Sequence, residues 1–174
     1  MKEIIQLFAA ITVAKKGPQD VPASSALMLL TVLGYFAVNV VITIILPPMS
    51  IPWMLPLLID IVFTLGWNFL LLRVVGRPER FMQTTTAVFG YRALLTPLWV
   101  LTMWLVTRFQ NDPGWQFPIA LVGLAVVIWV IAVNSHILKA ALEWSMAPAV
   151  ALVILQMLAG ELVRYALLAN GAGA

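Results

Sequence analysis

The chain has no cysteine, which excludes disulfides, thiolate metal sites and a cysteine nucleophile. It has one histidine, His136. With no cysteine and no acidic neighbour in sequence, that residue makes a poor metal ligand. Charge is scarce as well. Charged residues make up 10% of the chain, against about 25% in an ordinary soluble domain. From Asp20 to Asp60, 39 residues pass without one Lys, Arg, Asp or Glu. Further charge-free runs cover 61–72, 93–107, 113–138 and 144–160. A water-soluble fold cannot bury that much unbroken apolar sequence, whereas a bilayer accepts about 20 such residues per helical span. Several motifs are missing too: a phosphate-binding glycine loop, His-Glu-x-x-His, a paired acidic metal motif and a glycine-flanked serine. An enzyme is therefore not expected, nor is a metal or other cofactor.

What is present is apolar: 63% hydrophobic residues and a mean hydropathy of +1.02 over 174 residues. The fold class follows as all-α, a polytopic membrane protein. The chain divides into an amphipathic helix and linker (1–24), a five-helix membrane domain (25–169) and a small tail (170–174). Spans are expected at about 25–46, 53–75, 88–107, 116–138 and 147–168, a reading that rests on the span length a bilayer requires. Pro47-Pro48 and Pro52 make the first link short and stiff. Pro97 is expected to kink the third span by removing the bond to Ala93. Asn111-Asp112-Pro113-Gly114 is a turn, and Ser24 or Ser25 can cap the first span.

The N-terminal segment does not read as a signal peptide, because charge mixes with apolar residues from Lys2 onward. Ile4, Leu7, Phe8 and Ile11 share one helical face, with Lys2, Glu3 and Gln6 elsewhere on the wheel. Two readings stand open: a helix lying on the membrane surface, or one packed onto the end of the bundle. Lys2, Lys15, Lys16, Arg73, Arg77, Arg80, Arg92 and Lys139 fall on one side of the five-span layout. Only Arg108 and Arg164 fall toward the other. The positive-inside rule then puts the N-terminus in the cytoplasm and the C-terminus outside. The net charge of +3 is distributed for anchoring, and nucleic acid is not an expected partner. Trp53, Trp104 and Trp115 suit the outer interface and Trp144 the inner one. Trp67, Trp99 and Trp129 lie deeper, as packing residues.

Ionisable groups within spans are costly and so mark candidate sites. Asp60 leads, with Thr64 and Asn68 on the same face of its helix. It is either a titrating proton or cation site, or a structural carboxylate paired with a cation such as Arg164. Glu161 and Arg164 are three apart and can pair with each other, or join Asp60 in a cluster linking spans two and five. Asn39 and Gln156 are expected to bond between helices. His136 is a secondary candidate near the cytoplasmic end of span four. Arg77, Arg80 and Arg92 form a basic cytoplasmic loop that can meet anionic head groups or an acidic partner, or simply anchor the topology. Ala147 and Ala151 offer a small-residue packing face.

Two stretches resemble the bacterial branch of the Yip (Rab-GTPase-interacting protein) domain family. One runs Arg77-Pro78-Glu79-Arg80-Phe81-Met82-Gln83-Thr84-Thr85-Thr86-Ala87 before a span. The other runs Trp129-Val-Ile-Ala-Val-Asn-Ser-His136-Ile-Leu-Lys-Ala-Ala-Leu142. The resemblance implies a five-span protein with a cytoplasmic N-terminus, over residues 25–168. Tiny loops and the lack of a catalytic constellation make the leading expectation an accessory or assembly component of a larger membrane complex. Its partners are lipid and other membrane proteins or further copies of itself. The alternatives are a small transporter or proton-coupled channel using Asp60, and a lipid-handling or membrane-shaping protein. A bacterial inner (cytoplasmic) membrane is the expected location.

Overall fold

The computed structural model describes residues 2–45 and 54–171. Among these, no strand is present and six α-helices follow one another. They are α1 (Lys2–Thr12), α2 (Ser25–Ile45), α3 (Met54–Val74), α4 (Phe81–Arg108), α5 (Pro113–Leu142) and α6 (Met146–Gly171). Short 3₁₀ turns at Pro18–Asp20 and Pro78–Arg80 precede α2 and α4. The last five helices are each long and apolar enough to cross a membrane. The proline-rich link at 47–52, Trp53 and the tail residues 172–174 lie outside the described residues.

Local chemistry sets the helix ends. The Leu27 amide donates to Ser24 Oγ (3.3 Å), capping α2. The Gly114 amide donates to Asp112 Oδ1 (3.0 Å), with Pro113 in the first turn of α5. Gly76 (φ +78°) carries the turn out of α3. Glu143 takes the left-handed conformation that ends α5 (φ 57°). Helix α5 runs on to Leu142, α6 extends a few residues past the expected span, and α4 begins at Phe81 rather than residue 88. Gln83 and Thr84–Thr86 therefore belong to the helix. Thr86 Oγ1 donates to the Met82 carbonyl (2.6 Å), and Gln83 Nε2 donates to the Val21 carbonyl (2.8 Å). Helix α4 also continues through Pro97.

Helix α4 is the hub. Every residue from Thr84 to Tyr91 is buried, because α1, α2, α3 and α5 all pack around that stretch. One face of α4 (Val88, Tyr91, Leu95) meets α5 at Val133 and Ile137. Another carries Phe89 against Leu57 and Ile61 of α3 and Tyr35 of α2. At one end of the bundle, Leu72, Phe81, Ala141 and Leu142 form an apolar layer across α3, α4 and α5.

Of the two readings of α1, the packed one is realised. Ile4, Leu7, Phe8 and Ile11, the whole apolar face, sit in one cluster with α4 and α5 residues. Trp129 Nε1 donates to the Thr12 carbonyl (2.8 Å), tying the end of α1 to α5. Gly90 makes the docking possible, since a Cβ there would overlap the Phe8 ring. On α6, Ala147 and Ala151 face outward, while Ala149, Val153 and Gln156 face the bundle. The small-residue face proposed from spacing is therefore not the packing face.

Candidate functional site

Asp60 stands on α3 six residues past its start, about 9 Å along the helix axis. Its carboxylate meets α4 and α2 at once. Arg92 Nη1 lies 3.3 Å from each carboxylate oxygen and donates to Thr64 Oγ1 at 3.0 Å. Tyr35 OH donates to Asp60 Oδ2 at 3.1 Å. Both contacts to the carboxylate come from one guanidinium nitrogen, so this is a long, forked contact rather than the parallel two-nitrogen pairing of a tight Arg–carboxylate bridge.

This partner differs from the one spacing suggested. Helix α4 starts seven residues earlier than expected, and Arg92 works with the span, not with the basic cytoplasmic loop expected for it. Eleven residues from Phe81 put it about 16 Å up the helix. There it takes the place proposed for Arg164. Arg164 pairs instead with Glu161 on its own helix, so the pair within one span is formed and the direct Asp60–Glu161–Arg164 ion cluster is not.

These groups still share one space. A groove of about 480 Å³ runs through the middle of the bundle and is lined from all five spans, by Tyr35, Asp60, Arg92, Asn134, Gln156 and Arg164 among others. Its walls alternate these polar groups with valine, leucine and aromatic side chains. Pockets of 300–1,000 Å³ with a few convergent polar groups on apolar walls are the usual form of a small-molecule site. Thr96, one turn beyond Arg92, also faces the groove and bonds to the Arg92 carbonyl (2.8 Å).

The remaining candidates separate. Asn39 lines the groove, but its amide donates to the Tyr35 carbonyl within its own helix (2.8 Å) rather than across helices. Asn68 is buried, and neither end of its amide has a partner. His136 is half-buried on α5, away from the groove lining. Among the described residues, no group of His, Asp and Glu has the arrangement of a metal site.

Arg77 and Arg80 act together at the end of the bundle. Both pair with Glu143, Arg77 at 2.6 Å. Arg80 also donates to the Ala140 and Ala141 carbonyls (2.9 and 3.1 Å), filling the open end of α5. The two guanidinium groups hold the Glu143 carboxyl down at about 2, and Glu143 in turn raises Arg77. This latch ties the α3–α4 link to the α5–α6 link. Sequence reading missed Glu143; its place directly after a span, opposite two loop arginines, was the available signal. Tyr35 was missed for the lack of any signal, being one aromatic among many in an apolar run.

No family model, curated protein or solved structure matches the chain.

Proposed function

We propose that this chain is a small carrier or proton-coupled channel that moves a proton or a small polar solute through its central groove, with Asp60 as the group that changes protonation. The observation that carries this reading is a carboxylate deep in a span, on the wall of a groove, held by contacts of 3.3 Å from one arginine nitrogen. Purely structural intramembrane pairs are best served by short, complete pairing, since incomplete pairing leaves desolvation uncompensated. A loose pair beside an open space is suited to exchanging its partner for a proton or a solute.

The charge pattern supports a cytoplasmic N-terminus, and the bacterial-type resemblance favours a bacterial inner membrane. The Yip-type resemblance adds to that topology and says nothing of cargo. A second reading is the accessory subunit. It is favoured by α2, which packs one side on α4 but leaves Leu29, Leu30, Leu33 and Val41 exposed on the other. Such a face needs lipid or a partner helix. A lipid-handling role is less well supported, because the apolar face of α1 is already covered.

The test is proton entry into proteoliposomes with a pH dye inside and an imposed potassium-diffusion potential. Wild type should acidify faster than protein-free vesicles, and Asp60→Asn should return the rate to that background. Wild-type vesicles as tight as empty ones would contradict the proton branch. Gentle extraction and mass spectrometry of the intact assembly tests the second reading: a stoichiometric set of other membrane proteins supports it, and a lone copy sinks it.

A further inference from the structure

The groove ends at Thr64, Tyr91 and Asn134. The apolar layer of Leu72, Phe81, Ala141 and Leu142 closes the bundle further along. Between them lies a level of the structure with an unusual property. Asn68, Thr84, Thr85 and Ser135 are all at most 1% exposed, and their side-chain polar atoms have no hydrogen-bond partner.

Register brings these groups together. Leu71 and Leu72 of α3 pack against Leu138, Ala141 and Leu142 of α5. Asn68 and Ser135 each lie one turn before those contacts, and the two helices run in the same direction. Helix α4 runs the other way, with Phe81 against Phe69 (5.7 Å between rings) and Arg92 against Thr64. Thr84 and Thr85 therefore fall at the same height. Thr85 shares the α4 face of Phe89 and Arg92, which meets α3. Thr84 shares the face of Val88 and Tyr91, which meets α5.

An orphaned buried amide or hydroxyl costs about 1–3 kcal/mol, and native interiors meet such groups with bound water. Uncharged donors and acceptors from three helices, with no ionic group among them, match water rather than an ion. We infer that this layer is an internal water site, continuing the groove past Arg92 as far as the Leu72–Phe81 seal. It would give Asp60 a hydrogen-bonded route in the direction of Glu143. The water site does not depend on the transport reading, because an inert bundle could hold it too.

The absence of cysteine allows a clean test. Ser135→Cys, Thr85→Cys and Thr84→Cys each introduce the chain's only thiol, in a near-isosteric swap. Infrared spectra in membranes then follow exchange of S–H for S–D after transfer to D₂O. Thr96→Cys in the groove serves as the wet control and Leu138→Cys as the dry one. Ser135→Cys and Thr85→Cys should exchange on the timescale of Thr96→Cys, with the S–H band shifted as for a hydrogen-bonded thiol. Exchange as slow as in Leu138→Cys, while Thr96→Cys exchanges, would overturn the water site. Proton flux in the proteoliposomes above is read separately, so a wet layer in a non-conducting protein leaves this inference standing and removes only the transport reading.

Discussion

Asp60 and Arg92 decide the character of the interior because each is costly in a bilayer without the other. Asp60 retains 39% side-chain exposure and Arg92 20%, so their pairing should stabilise by less than the 3–5 kcal/mol lost when a fully buried pair is broken. Asp60→Leu and Arg92→Leu should each cost about 1–3 kcal/mol in a detergent melt. The exchanged pair, Asp60→Arg with Arg92→Asp, should recover most of that loss. Equal losses in the swap and in the singles would mean that packing, not charge, is what the singles remove. Glu143 gives a prediction of pH dependence. Its folded carboxyl is held at about 2, below the unfolded value. Its contribution is therefore present above the ordinary glutamate range and is lost as pH falls toward 2. Carboxyl-carbon NMR should find that low value, and Arg77→Gln with Arg80→Gln should return it to about 4.

At the scale of the element, α1 packs its apolar face onto the bundle. Gly90→Leu should drive the Phe8 ring out of its seat and release α1. The expected signs are rapid proteolysis near Lys15 and Lys16 and a loss comparable to Phe8→Ala, about 3 kcal/mol. Undiminished protection of Lys15 and Lys16 would show that α1 has another hold. The same element shows what sequence could and could not reveal. Apolar run length found all five long apolar helices, and the expected serine cap marked a real helix start at Ser24. The face of α1 was legible as well; whether it meets lipid or protein was not, because both are apolar. The start of α4 was misjudged for a related reason. Gln83 and the threonine run look like a polar loop, yet the Thr86 hydroxyl and the Gln83 amide bond to backbone carbonyls and the helix runs on unbroken through all three threonines. Arg92 falls four residues inside the expected span, yet its charge groups it with the loop arginines; with the helix starting at Phe81 it stands well up α4, on the groove wall. Spacing identified Asp60 as the key carboxylate, but its partner depends on how α3 meets α4, which no single helix encodes.

As a whole molecule, the bundle is sealed by an apolar layer and an ion-pair latch at one end and holds a half-open, largely apolar groove that carries a few polar groups, with α6 placing Glu161 and Arg164 on its wall. Among the described residues, the outward faces of the long helices carry many exposed leucine, valine and isoleucine side chains, as lipid or neighbouring helices require. Asp60, Arg92, Tyr35 and Thr64 come from three helices, so the centre exists only when those helices are packed. A role in proton or solute movement therefore predicts that charge pairing and function can be separated. The measurement that tests this most directly is dye-reported proton entry into proteoliposomes holding wild type, Asp60→Asn, or the exchanged pair Asp60→Arg with Arg92→Asp. The account predicts flux in wild type only, even though the exchanged pair is folded, because the swap removes the carboxylate from Tyr35. Flux fully restored by the exchanged pair, or absent from wild type, would contradict it.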